Sequence, residues 1–160
     1  VMSFIGIGGG IDRMEASLKQ FQEALDASKK EYTINQVLLF LKEVSRHLAF
    51  RIIQLQPVLT GLSKANWQVT TDAPPEFSLV KRDKHDIVTT RKAMGFIESI
   101  LYPYTVVYIT NNVDYILDLE AGWSGKAPHG MVSVALQEAR VRFARKEVGR
   151  ALGSWKGLGR

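Results

Sequence analysis

The amino-terminal third of the chain carries apolar residues at the spacing of α-helices. A first set recurs every three or four residues and predicts a helix from Ile11 to about Lys29. A second, longer set predicts a central core helix that begins at Thr33 and stops at Pro57, because proline lacks a backbone N–H donor and clashes with the preceding turn. Thr33 and Gln36 have the spacing of a capping box, in which both side chains satisfy backbone N–H groups at a helix start.

The middle of the chain combines strand formers with turn residues. Residues 66–71 and 104–110 are rich in β-branched and aromatic side chains, which predicts two strands. Between them, the apolar spacing predicts a helix over residues 87–100, and the polar stretch 77–86 predicts an exposed loop. A short turn of helix is predicted for residues 113–119.

The last predicted helix begins near His129 or Gly130 and has two apolar faces. At about 100° per residue, one stripe consists of Val132, Leu136, Ala139 and Phe143. A second stripe, on nearly the opposite side, consists of Val134, Val141, Val148 and Leu152. We expect the first stripe to close the core and the second to contact another subunit or protein. The alternative is that the chain's own helices cover both faces.

These elements predict an α+β fold with two amino-terminal helices, a small β-sheet with an intervening helix, and a long carboxy-terminal helix. A chain of 160 residues has the usual size of one domain. We assign that domain to residues 11–152. The glycine-rich residues 1–10 are expected to form a flexible arm, and residues 153–160 a flexible basic tail.

Charge is concentrated near the carboxyl terminus. From Glu138 to Arg160, seven basic residues accompany two acidic ones, so this segment carries the same net +5 as the whole chain. Such a cluster binds an acidic protein face or a phosphate backbone, or is simply a solvated helix face. Its middle residues, Arg145, Lys146 and Arg150, are the candidates for a contact with a partner.

Composition and motifs favour a protein without catalytic, cofactor or metal residues. Cysteine is absent, which excludes disulfides, thiolate metal sites and a cysteine nucleophile. The three histidines are widely spaced, and Asp114, Asp118 and Glu120 provide too few ligands for a typical oxygen cage. No run approaches the roughly 20 apolar residues that span a bilayer, so no membrane contact is expected.

Two segments resemble motifs of a known family. The first is Pro57-Val58-Leu59-Thr60-Gly61-Leu62, which Trp67 follows closely. The second runs from Asn112 through Tyr115, Glu120 and Gly122, and continues through Pro128, Gly130 and Met131 into the last helix. Together they resemble the bacteriophage neck or tail-completion family that includes minor tail protein Z. The chain departs from that pattern at Ile116, where the family has alanine, and in the residues that follow Gly61.

The resemblance implies a structural virion protein that joins the DNA-filled head of a long-tailed phage to its tail. Its implied partners are copies of itself in a ring and the neighbouring neck, connector and tail proteins, close to the DNA of the channel. Assembly would take place in the host cytoplasm. The alternatives that remain open are the tail terminator protein of the same joint, a small DNA-binding protein that uses the basic last helix, and an enzyme whose site these motifs do not reveal.

The motif residues also have expected physical roles. Gly61 and Gly122 are candidates for positive φ, and Thr60 for a hydrogen bond to the backbone of its turn. Tyr115 is expected to bury its ring, and Glu120 to accept backbone N–H groups at the start of the last helix. The residues assigned to the fold are Pro57, Thr60, Gly61, Leu62, Trp67, Asn112, Tyr115, Glu120, Gly122, Pro128 and Gly130. The residues assigned to interfaces are Trp123, Val134, Val141, Arg145, Lys146, Val148 and Arg150.

Overall fold

A computed structural model describes residues 10–28 and 34–143 and has helices together with a small antiparallel sheet. The helices are α1 (Gly10–Ser28), α2 (Ile34–Leu55), α3 (Leu62–Ala65), α4 (Ile87–Glu98), α5 (Ile116–Glu120) and α6 (Val132–Arg142). The strands are β1 (Gln68–Thr70) and β2 (Tyr108–Thr110). The α+β class predicted from the sequence is therefore confirmed. The arm was predicted to include Gly10, which instead begins α1, while residues 1–9 and the tail lie outside the described residues.

Helix α2 lies at the centre of the core. It packs against α4 on one side and α6 on another, and α1 covers α6. Leu48, Ala49 and Ile52 of α2 are completely buried because they occupy the apolar stripe that faces these neighbours. The predicted bounds of α1 and α2 agree with the structure to within about two residues, and the predicted capping box at Thr33 lies outside the described residues.

The two strands pair antiparallel and place one residue each in the core. Val69 lies opposite Ile109, and both side chains are buried because alternate residues of a strand point to the same face. Helix α4 packs against β1 on the buried side through a face that includes Ala93 and Ile97. This arrangement positions the loop before α4 beside the sheet.

Both predicted strands proved too long. The first strand was predicted to begin at Asn66, but Asn66 is the carboxy-terminal cap of the preceding helical turn α3, and β1 begins at Gln68. The indole N–H of Trp67 donates to Gln56 Oε1 at 2.9 Å, which turns this residue toward α2. Because β1 then offers only three residues for pairing, the second strand is limited to Tyr108–Thr110 instead of beginning at residue 104.

Helix α6 buries the first of its two predicted stripes. Val132, Leu136, Ala139 and Phe143 are all buried in the core. Of the second stripe, Val141 is 75% exposed and Val134 is partly buried, whereas Val148 and Leu152 lie outside the described residues. The helix was predicted to begin near residue 129 but begins at Val132.

Contacts between α6 and α2 are both ionic and aromatic. Arg51 donates Nε and a terminal nitrogen to the two carboxylate oxygens of Glu138, at 2.5 and 2.7 Å, and this hydrogen bonding raises the pKa of Arg51 and lowers that of Glu138. The ring of Phe143 meets Phe40 and His47 edge to face, with centroids 5.8 and 5.6 Å apart. The end of α6 is thus held on α2 by two different interactions.

The two faces of α6 predict opposite results for two substitutions. Phe143→Ala removes a buried ring and should lower the free energy of unfolding by about 3–5 kcal/mol. Val141→Asp changes an exposed position and should alter it by less than about 0.5 kcal/mol. Thermal and denaturant unfolding of both variants measure the difference. A large loss of stability in Val141→Asp would show that the fold covers both faces.

His47 predicts a pH dependence of stability. Burial is the main cause that lowers the pKa of His47 from its ordinary value of 6.5, and the positive charges of Arg142 and Arg51 lower it further against the opposing effect of Glu138 and Glu43. The unfolded chain therefore binds this proton more tightly than the folded one. The free energy of unfolding should fall as the pH falls below about 6.5, until the folded-state pKa is passed.

The measurement is urea unfolding of the wild type and of His47→Gln between about pH 7.5 and pH 5.5. The variant keeps His85 and His129, so the difference between the two slopes belongs to His47. Parallel slopes would contradict the expected linkage.

Candidate functional site

The first motif forms a tight crossing between two segments of the chain. Thr60 Oγ1 accepts a hydrogen bond from Leu62 N at 3.3 Å, as predicted for this turn. Gly61 has φ 83°, and its carbonyl oxygen accepts hydrogen bonds from Ala65 N and Asp83 N. A Cβ atom on Gly61 would lie 2.7 Å from the backbone carbon of Asp83. Glycine is therefore required here both by φ and by the approach of the second segment.

Asp83 links this crossing to the start of α4. Its Oδ2 accepts from the backbone N and the Oγ1 of Thr89, both at 2.8 Å, and its Oδ1 accepts from His85 N at 3.2 Å. Burial raises the pKa of Asp83, but the hydrogen bonds from Thr89 and His85 favour the carboxylate and bring the pKa below its ordinary value. The predicted loop 77–86 is thus largely exposed but fixed at one buried carboxylate.

The second motif places a buried carboxylate on the first turn of α6. Glu120 Oε2 accepts from Met131 N and Val132 N at 2.8 and 2.9 Å. Its Oε1 accepts from Ser133 N and Ser133 Oγ at 2.9 and 2.8 Å. These backbone N–H groups have no partner within the helix, and the positive end of the helix dipole favours an anion. The role predicted for Glu120 is confirmed.

Two glycines close the segment between α5 and α6. Gly122 has φ 96°, as predicted, and a Cβ atom there would lie 2.5 Å from the carbonyl oxygen of Pro128. Gly130 has φ 79°, and a Cβ atom there would overlap the Glu120 carboxylate. The two positions bring the segment back across itself, so that the start of α6 meets the end of α5.

Trp123 lies on the outside of this closed turn. Its side chain is 81% exposed, while its backbone N donates to Asp118 O at 3.0 Å. Further along the turn, Ala127 N and Lys126 N donate to the backbone oxygen and to the Oγ of Ser124. The turn therefore presents a large aromatic side chain to solvent from a backbone that is held by hydrogen bonds.

The expected burial of Tyr115 was wrong. Its side chain is 40% exposed, and it precedes α5 as the amino-terminal cap residue. The apolar contacts of α5 with the core are made instead by Ile116 and Leu119. Asn112, one turn earlier, donates from Nδ2 to the carbonyl oxygens of Pro75 and Phe77, and so keeps a role in fixing the loop.

The predicted interface residues are only partly described. Trp123 and Val141 are exposed and Val134 is partly buried, whereas Arg145, Lys146, Val148 and Arg150 lie outside the described residues. The basic residues that α6 does include are engaged within the chain: Arg140 donates to Gln20 and Arg142 to Glu43, at 2.7 and 3.0 Å.

A basic groove was missed by reasoning from the sequence. It has a volume of about 580 Å³ and lies between β1, α4 and the segment that leads to Asp83. Lys81, Arg82 and Lys92 line it together with the apolar side chains of Phe77 and Val88. The signal in the sequence was the mixture of cations and exposed apolar residues in this loop, but no pattern there indicates which residues fold against β1.

Comparisons with protein-family models, with curated proteins and with solved structures find no match. Within residues 10–28 and 34–143, no cluster of three or more histidine, aspartate or glutamate side chains is arranged to hold a metal ion. In the same part of the chain, no helix has the length and apolarity needed to cross a membrane.

We expect the substitution Glu120→Gln to lower the free energy of unfolding strongly, although it hardly changes the size of the side chain. Glu120→Gln replaces one acceptor oxygen with an NH2 group and leaves two buried donors of α6 without a partner. The free energy of unfolding should fall by about 2–4 kcal/mol. Asp118→Asn is the matched control, because it removes an exposed carboxylate from the same short helix. Chemical unfolding measures both, and equal stabilities of the two variants would contradict the role of Glu120.

Proposed function

We propose that this chain is a structural virion protein of the head-to-tail connection of a long-tailed phage, a neck or tail-completion protein. It acts by assembling with copies of itself in a ring and with neighbouring neck, connector and tail proteins. The observation that supports the proposal most is the turn between α5 and α6, in which the family-like motif residues are satisfied internally and Trp123 is left on the surface.

The contacts of the motif residues favour a structural role in holding the fold over a role in catalysis. Glu120 uses both carboxylate oxygens on the start of α6, and Asp83 uses both on the start of α4 and the loop before it. Gly61, Gly122 and Gly130 allow close backbone approach. Each of these groups makes a contact between segments of the chain. This agrees with a structural role for the motif residues, as proposed for an assembly protein.

Exposed apolar side chains support assembly with other proteins. Trp123 and Val141 are exposed. Three residues of the loop between α4 and β2 are also more than 70% exposed: Leu101, Tyr102 and Tyr104. Aromatic residues are enriched where protein interfaces gain most of their energy. Contact with a neighbouring protein would remove these apolar side chains from water, which favours binding, whereas they stay exposed to water in a free monomer.

The tail terminator of the same joint and a DNA-binding protein are the alternatives. A terminator would share the joint and the ring, and differs in the neighbour it contacts. Within α6, Arg140 and Arg142 already have partners in the chain, so DNA binding by the basic last helix would rely on the basic residues beyond Phe143. Its signature is an affinity for DNA that falls steeply with salt, because counterions are released on binding.

The proposal predicts that the protein is part of the finished particle. Mass spectrometry of gradient-purified virions should detect it in a fixed ratio to the tail proteins. A nonsense mutation in its gene should yield separate DNA-filled heads and tails in electron micrographs, and the wild-type gene supplied from a plasmid should restore joined particles.

Absence from purified virions, or normal particles from the nonsense mutant, would overturn the proposal. Tight salt-sensitive binding to duplex DNA by a protein that is absent from particles would favour the DNA-binding alternative.

A further inference from the structure

The groove beside β1 carries unpaired positive charge. Lys81, Arg82 and Lys92 line it, and none of their side chains has an ion pair or hydrogen bond in the described part of the chain. The groove also contains one carboxylate, Asp83, which is already bonded to Thr89 and to the backbone of His85. The groove therefore has cations free to meet an acidic partner.

Apolar side chains line the groove together with these cations. Phe77 and Val88 line it and are 64% and 54% exposed. Its volume of about 580 Å³ lies within the range of roughly 300–1,000 Å³ that is usual for sites that enclose a ligand group. A partner that fits this surface combines carboxylates with a large apolar side chain.

The same chain carries exposed carboxylates and a large apolar side chain just before α5, within it and in the turn that follows it. Asp114 and Asp118 are exposed, and their carboxylates have no partner in the described residues. Trp123 is 81% exposed and is tied to Asp118 through its backbone N. The two carboxylates and the indole are therefore exposed within ten residues of one another, at α5 and the turns on either side of it.

These two surfaces belong to different parts of the fold. The acidic surface lies at α5 and its flanking turns, and α5 packs against α1, whereas the groove lies on α4 and β1, and α4 packs against α2. Two different surfaces that complement each other make a heterologous contact between copies, which generates a ring where the rotation closes and a filament where it does not.

We propose that Trp123 of one copy enters the basic groove of the next copy, with Asp114 and Asp118 facing Lys81, Arg82 and Lys92. The inference deepens the proposed function and rests on it only for the biological setting of the ring. The indole supplies the buried anchor, and the opposite charges set its orientation and speed the encounter.

The experiment is a charge exchange between two variants. The groove variant carries Lys81→Glu, Arg82→Glu and Lys92→Glu, and the acidic-surface variant carries Asp114→Lys and Asp118→Lys. Sedimentation of the full chain over a range of concentrations at low salt should show association of the wild type. Each variant alone should associate about 10- to 100-fold more weakly.

An equal mixture of the two variants should recover association, because each reversed surface then meets a neighbour of opposite charge. Trp123→Ala should weaken association of the wild type by a similar factor. The matched control changes the exposed Lys19, Lys84 and Arg91 to glutamate, which alters the net charge equally but lies outside the groove lining, and it should lose much less. Should the triple variant fail to fold, Lys92→Glu and Asp118→Lys provide the same exchange with single substitutions.

A wild type that stays monomeric at every concentration would overturn the proposal, as would association that persists in Trp123→Ala or a mixture that fails to recover. None of these results would decide the proposed function, because sedimentation measures self-association of the isolated protein and the proposed function is tested on virions. A protein found in particles but monomeric in solution would show that other surfaces form the joint.

Discussion

The contact of the Glu120 carboxylate with the first turn of α6 is the constraint on which the rest of the fold depends. Helix α6 packs against both α1 and α2, so the position of its start decides how the core closes. With five residues, α5 is too short to be stable by itself, and α6 with 11 described residues is marginal. One buried carboxylate that accepts four hydrogen bonds joins the two, and it does so only because Gly130 leaves room for it.

A second carboxylate and glycine, Asp83 and Gly61, form a similar arrangement near the start of α4. Asp83 accepts hydrogen bonds from Thr89 at the start of α4, just as Glu120 accepts them at the start of α6. Its backbone lies too close to Gly61 for a Cβ atom, as the Glu120 carboxylate does to Gly130. In both places a carboxylate caps a helix and a glycine of positive φ allows the crossing. These crossings keep the polar groups of the motifs inside the fold and leave aromatic and charged side chains of the adjoining turns on the surface.

Periodicity predicted the helices well because each long helix has one face in the core, as the buried stripe of α6 illustrates. The strands were predicted too long because strand formers need a partner, and the sequence does not reveal that β1 offers only three residues. The burial of Tyr115 was predicted wrongly because Ile116 and Leu119 make the core contacts of this segment, and the sequence does not show which of its apolar side chains face the core. The groove could not be predicted, since it arises where a loop folds against β1 and α4 through contacts distant in sequence, such as that of Asn112 with Phe77.

Internal carboxylates hold the fold, and the proposed assembly depends on the Trp123 side chain and the basic groove on its surface. A cryo-EM map of the particle joint is the most direct test of the proposed assembly. We expect several copies of the chain around the particle axis, each with its Trp123 side chain covered by an adjacent protein. A map in which the chain is absent from the joint, or in which Trp123 faces solvent in every copy, would contradict it.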